Sequence, residues 1–281
     1  MKRMIYRIAK LLNHNSFIGI ESGAKQECLI MGKGIAFGKK IGQTIEVPQD
    51  ARIYSLKELT DRGDAREIIN SVSPVCLELA NEILREAEAE FGDIDRSILF
   101  PIADHLDFAI RRLQRGEQIS NPLTEDIRIL FYKEYKVAGC IAPMLKEKFQ
   151  IELDEHETGY IALHVHSAIV DEKVSQAMEI ARTVRECISL VEKETGNSID
   201  VMSLAYNRLM NHVRYMVARA IHGEKLKMNL NDYMSVKFPE AFHASERICR
   251  EMEKRLGLPM PDIEIGYLAM HLERMLDSET E

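Results

Sequence analysis

The sequence has no tryptophan, five cysteines and few aromatics, 6% of 281 residues. No broad stacking platform stands out, and Phe37, in a glycine-rich stretch, is the aromatic candidate for a stacking role. Cys28, Cys76, Cys140, Cys187 and Cys249 are odd in number, far apart and form no CxxC. That pattern supports neither a disulfide framework nor a zinc site, and a reducing cytoplasm is the expected compartment. No apolar run approaches the ~20 residues of a membrane span. The basic N-terminus, MKRMIYRIAK, leads into no long apolar segment, so neither membrane insertion nor a secretory leader is expected. GxxxxGK[ST], GxSxG and HExxH do not occur. GKGIAFG has closely spaced glycines but lacks the strand-to-helix setting of a dinucleotide fold. With no nucleophile–base constellation and no cofactor or metal fingerprint, the chain is not expected to be an enzyme.

What is present is ordinary globular composition, 46% hydrophobic and 29% charged, which excludes wholesale disorder. The length suggests two domains or three small ones. The net charge of −8 is unevenly spread. Residues 1–57 hold ten basic side chains and four acidic ones, a net +6, which leaves −14 on the remainder. Such asymmetry suggests a polyanion-binding module joined to something else, or a basic arm without a ligand.

Texture changes along the chain as well. Six of the 15 glycines fall within residues 19–42. There they separate the short apolar runs Phe17–Ile20, Cys28–Met31, Ile35–Phe37 and Ile45–Val47. This is the spacing of a small antiparallel β unit with hairpins. A unit under 60 residues is marginal alone and gains from dimerisation. LKELTDRGD follows as a charged link. Beyond it, amphipathic helices are expected. SPVCLELANEILREAEAEFG has Ser73 as N-cap, Pro74 at the first helical position, and apolar residues at 75, 76, 79, 80, 83, 84 and 87. Further helical stretches are expected near 94–114, 123–135, 138–149 and 155–170, and a second series from about 174.

The helical part is internally duplicated. DHLDFAIRRLQRGEQ from residue 104 matches NHVRYMVARAIHGEK from residue 211, and ETGYIALH (157–164) matches EIGYLAMH (264–271). All these pairs share an offset of 107 residues, so two tandem domains are expected, not a solenoid. Each copy carries two histidines at matching places. His105 and His212 are expected just before an amphipathic stretch, and His164 and His271 inside a GY-x-A-x-H helix. Imidazole can accept a phosphoryl group, bind metal or sense pH, and a shared ancestor would also preserve a purely structural role. Metal is the weaker reading, because the two histidines of a copy are 59 residues apart with no i, i+4 ligand pair. His164 and His166, two apart, would point to different faces of a helix.

Taken together, IAKLLNHNSF (8–17), LIMGKGIAFGKKIGQTI (29–45), ADHLDFAI (103–110), GYIALHVHSA (159–168), NHVRYM (211–216) and GYLAMHLERM (266–275) resemble the BglG/LicT transcriptional antiterminators over essentially the whole chain. GKGIAFGKK and LHVHSA look most like the glucose-type branch. The resemblance implies a small antiparallel β RNA-binding co-antiterminator domain at 1–58. Two all-α helical-bundle regulatory domains would follow at 65–171 and 172–281. The first domain would act as a homodimer, bind a hairpin in a leader mRNA, and prevent the overlapping terminator from forming upstream of sugar-uptake genes. By motif position, Lys10, Asn13, Asn15, Gly32, Lys33, Phe37 and Gly38 would face the RNA. Asn can read base edges, Lys neutralises phosphate, glycine lets backbone approach, and an aromatic ring can stack on a splayed base. His14 stands where the family usually has asparagine.

His105, His164, His212 and His271 would be phosphorylation sites. Their donors would be the histidine phosphocarrier protein and a sugar-specific enzyme II of the phosphotransferase system. Arg111, Arg112, Arg214 and Arg219 are candidates to answer the added charge, and Asp104 and Asp107 to orient His105. Asn211 and Arg214 replace those two acids in the second copy. Two rivals are a DNA-binding activator with the same regulatory domains, and a sensor module whose basic segment docks a protein partner. An N-terminal β-hairpin unit in place of a helix-turn-helix speaks against the first.

Overall fold

The computed structural model describes residues 4–23, 26–57, 59–60, 63–170, 172–196, 199, 203–257 and 259–277. The chain divides into two compact units, Met1–Ser120 with Lys133–Glu172, and Asn121–Tyr132 with Lys173–Glu281.

The first unit opens with β1 (Ile5–Asn13), β2 (Ser16–Glu21), β3 (Glu27–Met31), β4 (Thr44–Glu46) and β5 (Arg52–Ser55). They form one antiparallel sheet in the order β4-β1-β2-β3-β5. Strand period puts alternate residues on opposite faces. Ile18 pairs with Leu29 and Leu29 with Tyr54, so these stand on one face, while Phe17, Ile30 and Ile53 stand on the other. The second face forms its own cluster with Tyr6, Ile8, Cys28, Ala36, Ile45 and Val47. Ile35–Phe37, expected to be extended, is a run of tight turns. Ile35 N donates to Gly32 O at 3.2 Å and Phe37 N to Gly34 O at 3.0 Å. Gly34 and Gly38 take φ +65° and +69°, where a side chain would be strained.

Within the expected link, Glu58, Asp61 and Arg62 lie outside the described residues. Its remainder forms a short antiparallel pair, β6 (Leu59–Thr60) and β7 (Gly63–Asp64), leading into α1 (Ala65–Ser71). Then α2 (Pro74–Phe91) starts as expected. The Ser73 hydroxyl accepts from Val75 N, and Pro74 occupies the first turn. Its buried stripe is Cys76, Leu77, Leu79, Ala80, Ile83, Leu84 and Ala87. A 3-10 turn (Arg96–Ile98) opens α3 (Leu99–Gln114). His105 lies inside this helix, within the stretch expected near 94–114, and is flanked by amphipathic sequence on both sides, since the apolar run Leu99, Phe100, Ile102, Ala103, Leu106 has helical spacing and is buried.

The expected helix at 123–135 is broken at Phe131, whose φ −120° and ψ 44° end α4 (Thr124–Leu130) before α5 (Tyr132–Ala138). A 3-10 turn (Gly139–Ile141), α6 (Ala142–Phe149) and α7 (Glu155–Ile169) follow. The first face of the sheet, with Ile18, Leu29, Met31, Tyr54 and Leu56, joins α1, α2, α3 and α7 in one core.

The second unit comprises α4, α8 (Val174–Thr195), α9 (Leu204–His222), α10 (Asn231–Lys237), α11 (Pro239–Leu256) and α12 (Ile263–Asp277). Helix α9 buries Tyr206, Leu209, Met210, Val213, Met216 and Val217, a 3.6-period stripe that includes the turn before and after His212. Helix α4 packs on α8 and α9, whereas its repeat counterpart α10 packs on α11 and α12. Buried Asp126 of α4 lies 3.5 Å from Arg185 of α8.

The recurring glycine before the tyrosine has a steric reason in the second copy. A Cβ on Gly266 would lie 2.9 Å from both Asn231 N and Leu230 C, and 2.7 Å from Asn231 Oδ1. Gly266 N also donates to that same Oδ1 at 3.0 Å. Glycine to alanine in an open helix is stabilising by roughly 1 kcal/mol. Here the overlap with backbone reverses the sign. Gly266→Ala should destabilise the protein by about 1–3 kcal/mol, read as a lower midpoint in thermal unfolding; a raised midpoint would contradict the packing described.

Candidate nucleic-acid interface and paired histidine sites

Two irregularities in the β1–β2 register, between Ile8 and Lys10 and between Leu11 and Asn13, precede two of the predicted RNA residues. Such bulges re-aim the side chains that follow. Asn13 then closes the turn. Its Oδ1 accepts from Asn15 N at 2.8 Å and from Ser16 Oγ at 2.9 Å. The Asn15 Oδ1 accepts from Gly34 N at 2.8 Å. Asn15 O takes Gly32 N at 2.9 Å, and His14 O takes Ala36 N at 3.0 Å. The β1–β2 turn and the 32–38 loop are thereby tied together.

Each asparagine uses its amide oxygen within the turn and loop, which fixes the amide orientation and leaves Nδ2 as the group that faces away from them. Lys33 and Gly38 are exposed. Phe37 is 69% exposed, its ring edge-on to His14 with centroids 5.3 Å apart. Six of the seven predicted residues thus lie on the joined turn and loop or immediately before the turn. Lys10 lies further back on β1, beyond the second irregularity, and is also exposed.

The four repeated histidines come together in pairs. In the first unit His105 and His164 have ring centroids 5.5 Å apart. In the second, His212 and His271 stack at 4.5 Å. The recurring tyrosines complete each group, Tyr160 at 5.9 Å from His105 and Tyr267 at 6.3 Å from His212. His105 and His164 are buried, while His212 and His271 are half-buried.

One acid per copy was not singled out from the sequence, although it recurs in ETGY and EIGY. Glu157, fully buried, pairs with Arg112, and its Oε2 stands 3.2 Å from His105 Nε2. Burial would raise its carboxyl; His105 and Arg112 outweigh that and hold it below the usual carboxylate value. Glu264 takes both arms of Arg219, at 2.7 and 2.8 Å, and the Nε2 atoms of His105 and His212 are both buried without a hydrogen bond of good geometry.

Of the other predicted arginines, Arg111 pairs with Asp107 at 2.6 Å. Arg214 donates to Leu130 O at 2.9 Å and lies over the Phe131 ring. Asp107 accepts from Ser73 N at 3.0 Å, so its carboxylate serves the start of α2. His166 departs from the repeat. Its ring lies between Glu134 at 2.9 Å and Glu172 at 3.4 Å, on another side of α7 from the His105 pair.

The sequence model of the CAT RNA binding domain matches residues 6–62, and that of the PRD domain matches residues 67–168 and again 185–275. The chain belongs to the BglG/LicT family. Among curated relatives, the transcription antiterminator LicT of Bacillus subtilis is 27% identical over 274 residues, covering 96% of this chain and 99% of LicT. The β-glucoside operon antiterminator of Dickeya chrysanthemi is 26% identical, covering 96% of each chain. Protein GlcT of Staphylococcus haemolyticus is also 26% identical, covering 95% of each. A crystal structure of GlcT CAT-PRDI superposes with a TM-score of 0.50 at 28% identity, covering 59% of this chain and 99% of that one. In BglG/LicT terms the five-stranded sheet is the CAT domain, and each histidine pair belongs to one PRD match. Among the described residues, no helix is long and apolar enough to cross a membrane.

The two histidine pairs differ in a way that pH reports. Burial, then His271, then Arg219 push the His212 imidazole down to about 3 from an ordinary 6.5. The unfolded chain takes up this proton near pH 6.5 and the folded chain does not. The contribution of His212 to stability is therefore full above about pH 6.5 and is lost progressively as pH falls towards 3. Between pH 7 and pH 5, urea unfolding of the wild type should lose on the order of 1–2 kcal/mol more than that of His212→Gln. Equal losses would place the His212 proton elsewhere.

Proposed function

We propose that this protein is a transcriptional antiterminator. As a homodimer it binds a hairpin in a nascent leader mRNA through Lys10, Asn13, Asn15, Gly32, Lys33, Phe37 and Gly38. Holding that hairpin keeps the overlapping terminator from forming, and transcription continues into sugar-uptake genes. The observation that carries this reading is the tied turn and loop. Two asparagine amides have their oxygens occupied within the turn and loop, which leaves their NH2 groups as the donors, beside an exposed phenylalanine and an exposed lysine. Donors for base edges and phosphate, a ring for stacking and backbone that can approach closely are what looped RNA requires.

Control comes from phosphorylation of His105, His164, His212 and His271 by the histidine phosphocarrier protein and a sugar-specific enzyme II. A phosphoryl group adds about −1.5 to −2 of charge, by analogy with phosphoserine. Arg112 and Arg219 stand beside the first histidine of their pairs, each already engaged by a glutamate. A neutral imidazole offers the nitrogen lone pair that phosphoryl transfer needs. His212, held neutral and half-buried, meets that need in the state described, and Glu157 covers His105 Nε2. The work is that of a regulator acting where transcription occurs, in the cytoplasm.

Binding of the full chain to a panel of short RNA hairpins with asymmetric internal loops, against matched duplex DNA, tests the first part. Phe37→Ala should weaken hairpin binding roughly tenfold or more with unchanged thermal unfolding. Lys33→Ala should lower the slope of log affinity against log salt by about one. Equal affinity for hairpins and duplex DNA, or no effect of either substitution, would exclude this RNA face. For the second part, phosphopeptide mass spectrometry after exposure to phosphorylated phosphocarrier should find label among His105, His164, His212 and His271; label on none of them would exclude this control.

A further inference from the structure

The donors that the RNA reading assigns to the turn are occupied within the chain itself. Asn13 Nδ2 and Asn15 Nδ2 both donate to Oε1 of Glu78 on α2, at 3.0 and 2.9 Å. Lys148 Nζ donates to the other oxygen of Glu78 at 2.9 Å. Lys10 Nζ donates to Asn70 Oδ1 on α1 at 2.8 Å. Burial would raise the Glu78 carboxyl, but Asn15, Lys148 and Asn13 outweigh it and hold the group below its ordinary value. One carboxylate thus sits where two amide donors converge, as a phosphate oxygen or a base acceptor would. The contact continues along α2. Asn81 accepts from Tyr54 Oη at 2.7 Å, and Glu88 pairs with Arg52 at 2.7 Å. Positions 78, 81 and 88 share one face of a helix, so α2 presents a polar row to the sheet beside its apolar stripe.

We propose that α1 and α2 form a built-in competitor for RNA, with Glu78 as its central group. In the closed state its carboxylate holds the Asn13 and Asn15 donors and Asn70 holds Lys10; RNA gains these three groups only when the helices withdraw from the turn. The proposal rests on the assignment of Lys10, Asn13 and Asn15 to the RNA face. A binding-competent state that is only a fraction of the population lowers apparent affinity by that fraction.

The same helix is tied to the first histidine pair. Asp107, two residues beyond His105 on α3, accepts from Ser73 N at the start of α2 and lies 3.6 Å from Cys76 Sγ. Glu78 is little more than a turn further along. A charge added at His105 acts next to the anchor of the helix that carries the competitor, which gives phosphorylation a route to the RNA face other than dimer assembly.

The test is hairpin binding by the full chain, wild type against Glu78→Ala. Glu86→Ala serves as a control that removes the same charge from α2 at a site paired with Arg85. Glu78→Ala should bind RNA tighter, on the order of tenfold, and Glu86→Ala should match the wild type. Asn70→Ala, which releases Lys10 from the exposed side of α1, should also tighten binding, by less, and carries the test if Glu78→Ala does not fold. Wild-type binding that Glu78→Ala and Asn70→Ala leave unchanged or weaken would overturn the competitor while leaving the RNA reading intact. Tightening by Glu86→Ala equal to that of Glu78→Ala would overturn it in favour of a general charge effect. No hairpin binding by the wild type or by any variant would remove the RNA reading and the competitor together.

Discussion

The first unit depends on the need of a five-stranded sheet to bury two apolar faces. One face closes on its own turn-rich loops through Tyr6, Ile8, Phe17, Ile30 and Val47. The other, with Ile18, Leu29, Met31, Tyr54 and Leu56, finds its cover in the helices that follow it. Each fully buried residue of this size contributes roughly 1.5–3 kcal/mol, more than the polar contacts around it. Burial therefore sets where α2 lies. Its polar row then meets the turn that carries Asn13 and Asn15.

The duplicated helical part shows how a shared scaffold is adjusted locally. Both copies bring two histidines, a tyrosine and an arginine–glutamate pair together. In the first, the glutamate reaches the histidine as well as the arginine. In the second, the guanidinium takes both carboxylate oxygens. Two sites of one ancestry thus share their charged groups and differ in how the glutamate divides its contacts.

Much of this was legible in the residues. Clustered glycines and short apolar runs marked the sheet, Ser73-Pro74 marked the start of α2, and the 107-residue offset marked the histidines and the tyrosines, while the glutamates that recur at the same offset went unremarked. Local signals of this kind act over a few residues or repeat at a fixed period. Ile35–Phe37 was misread because apolar residues in a strand and in a turn look the same until the φ values of Gly34 and Gly38 are known. The break at Phe131 left no mark, because nothing in its immediate sequence opposes helix.

The sequence by itself determined which elements form and which residues recur. Backbone preference, capping and apolar period are properties of neighbours along the chain. Only the tertiary structure decided what those residues meet. That Glu157 stands 3.2 Å from His105 Nε2 while Glu264 takes both arms of Arg219 follows from how the helices pack. That Glu78 lies on the Asn13 and Asn15 amides, more than 60 residues away along the chain, follows from two apolar faces closing on each other. No period in the sequence records a meeting between a strand turn and a helix.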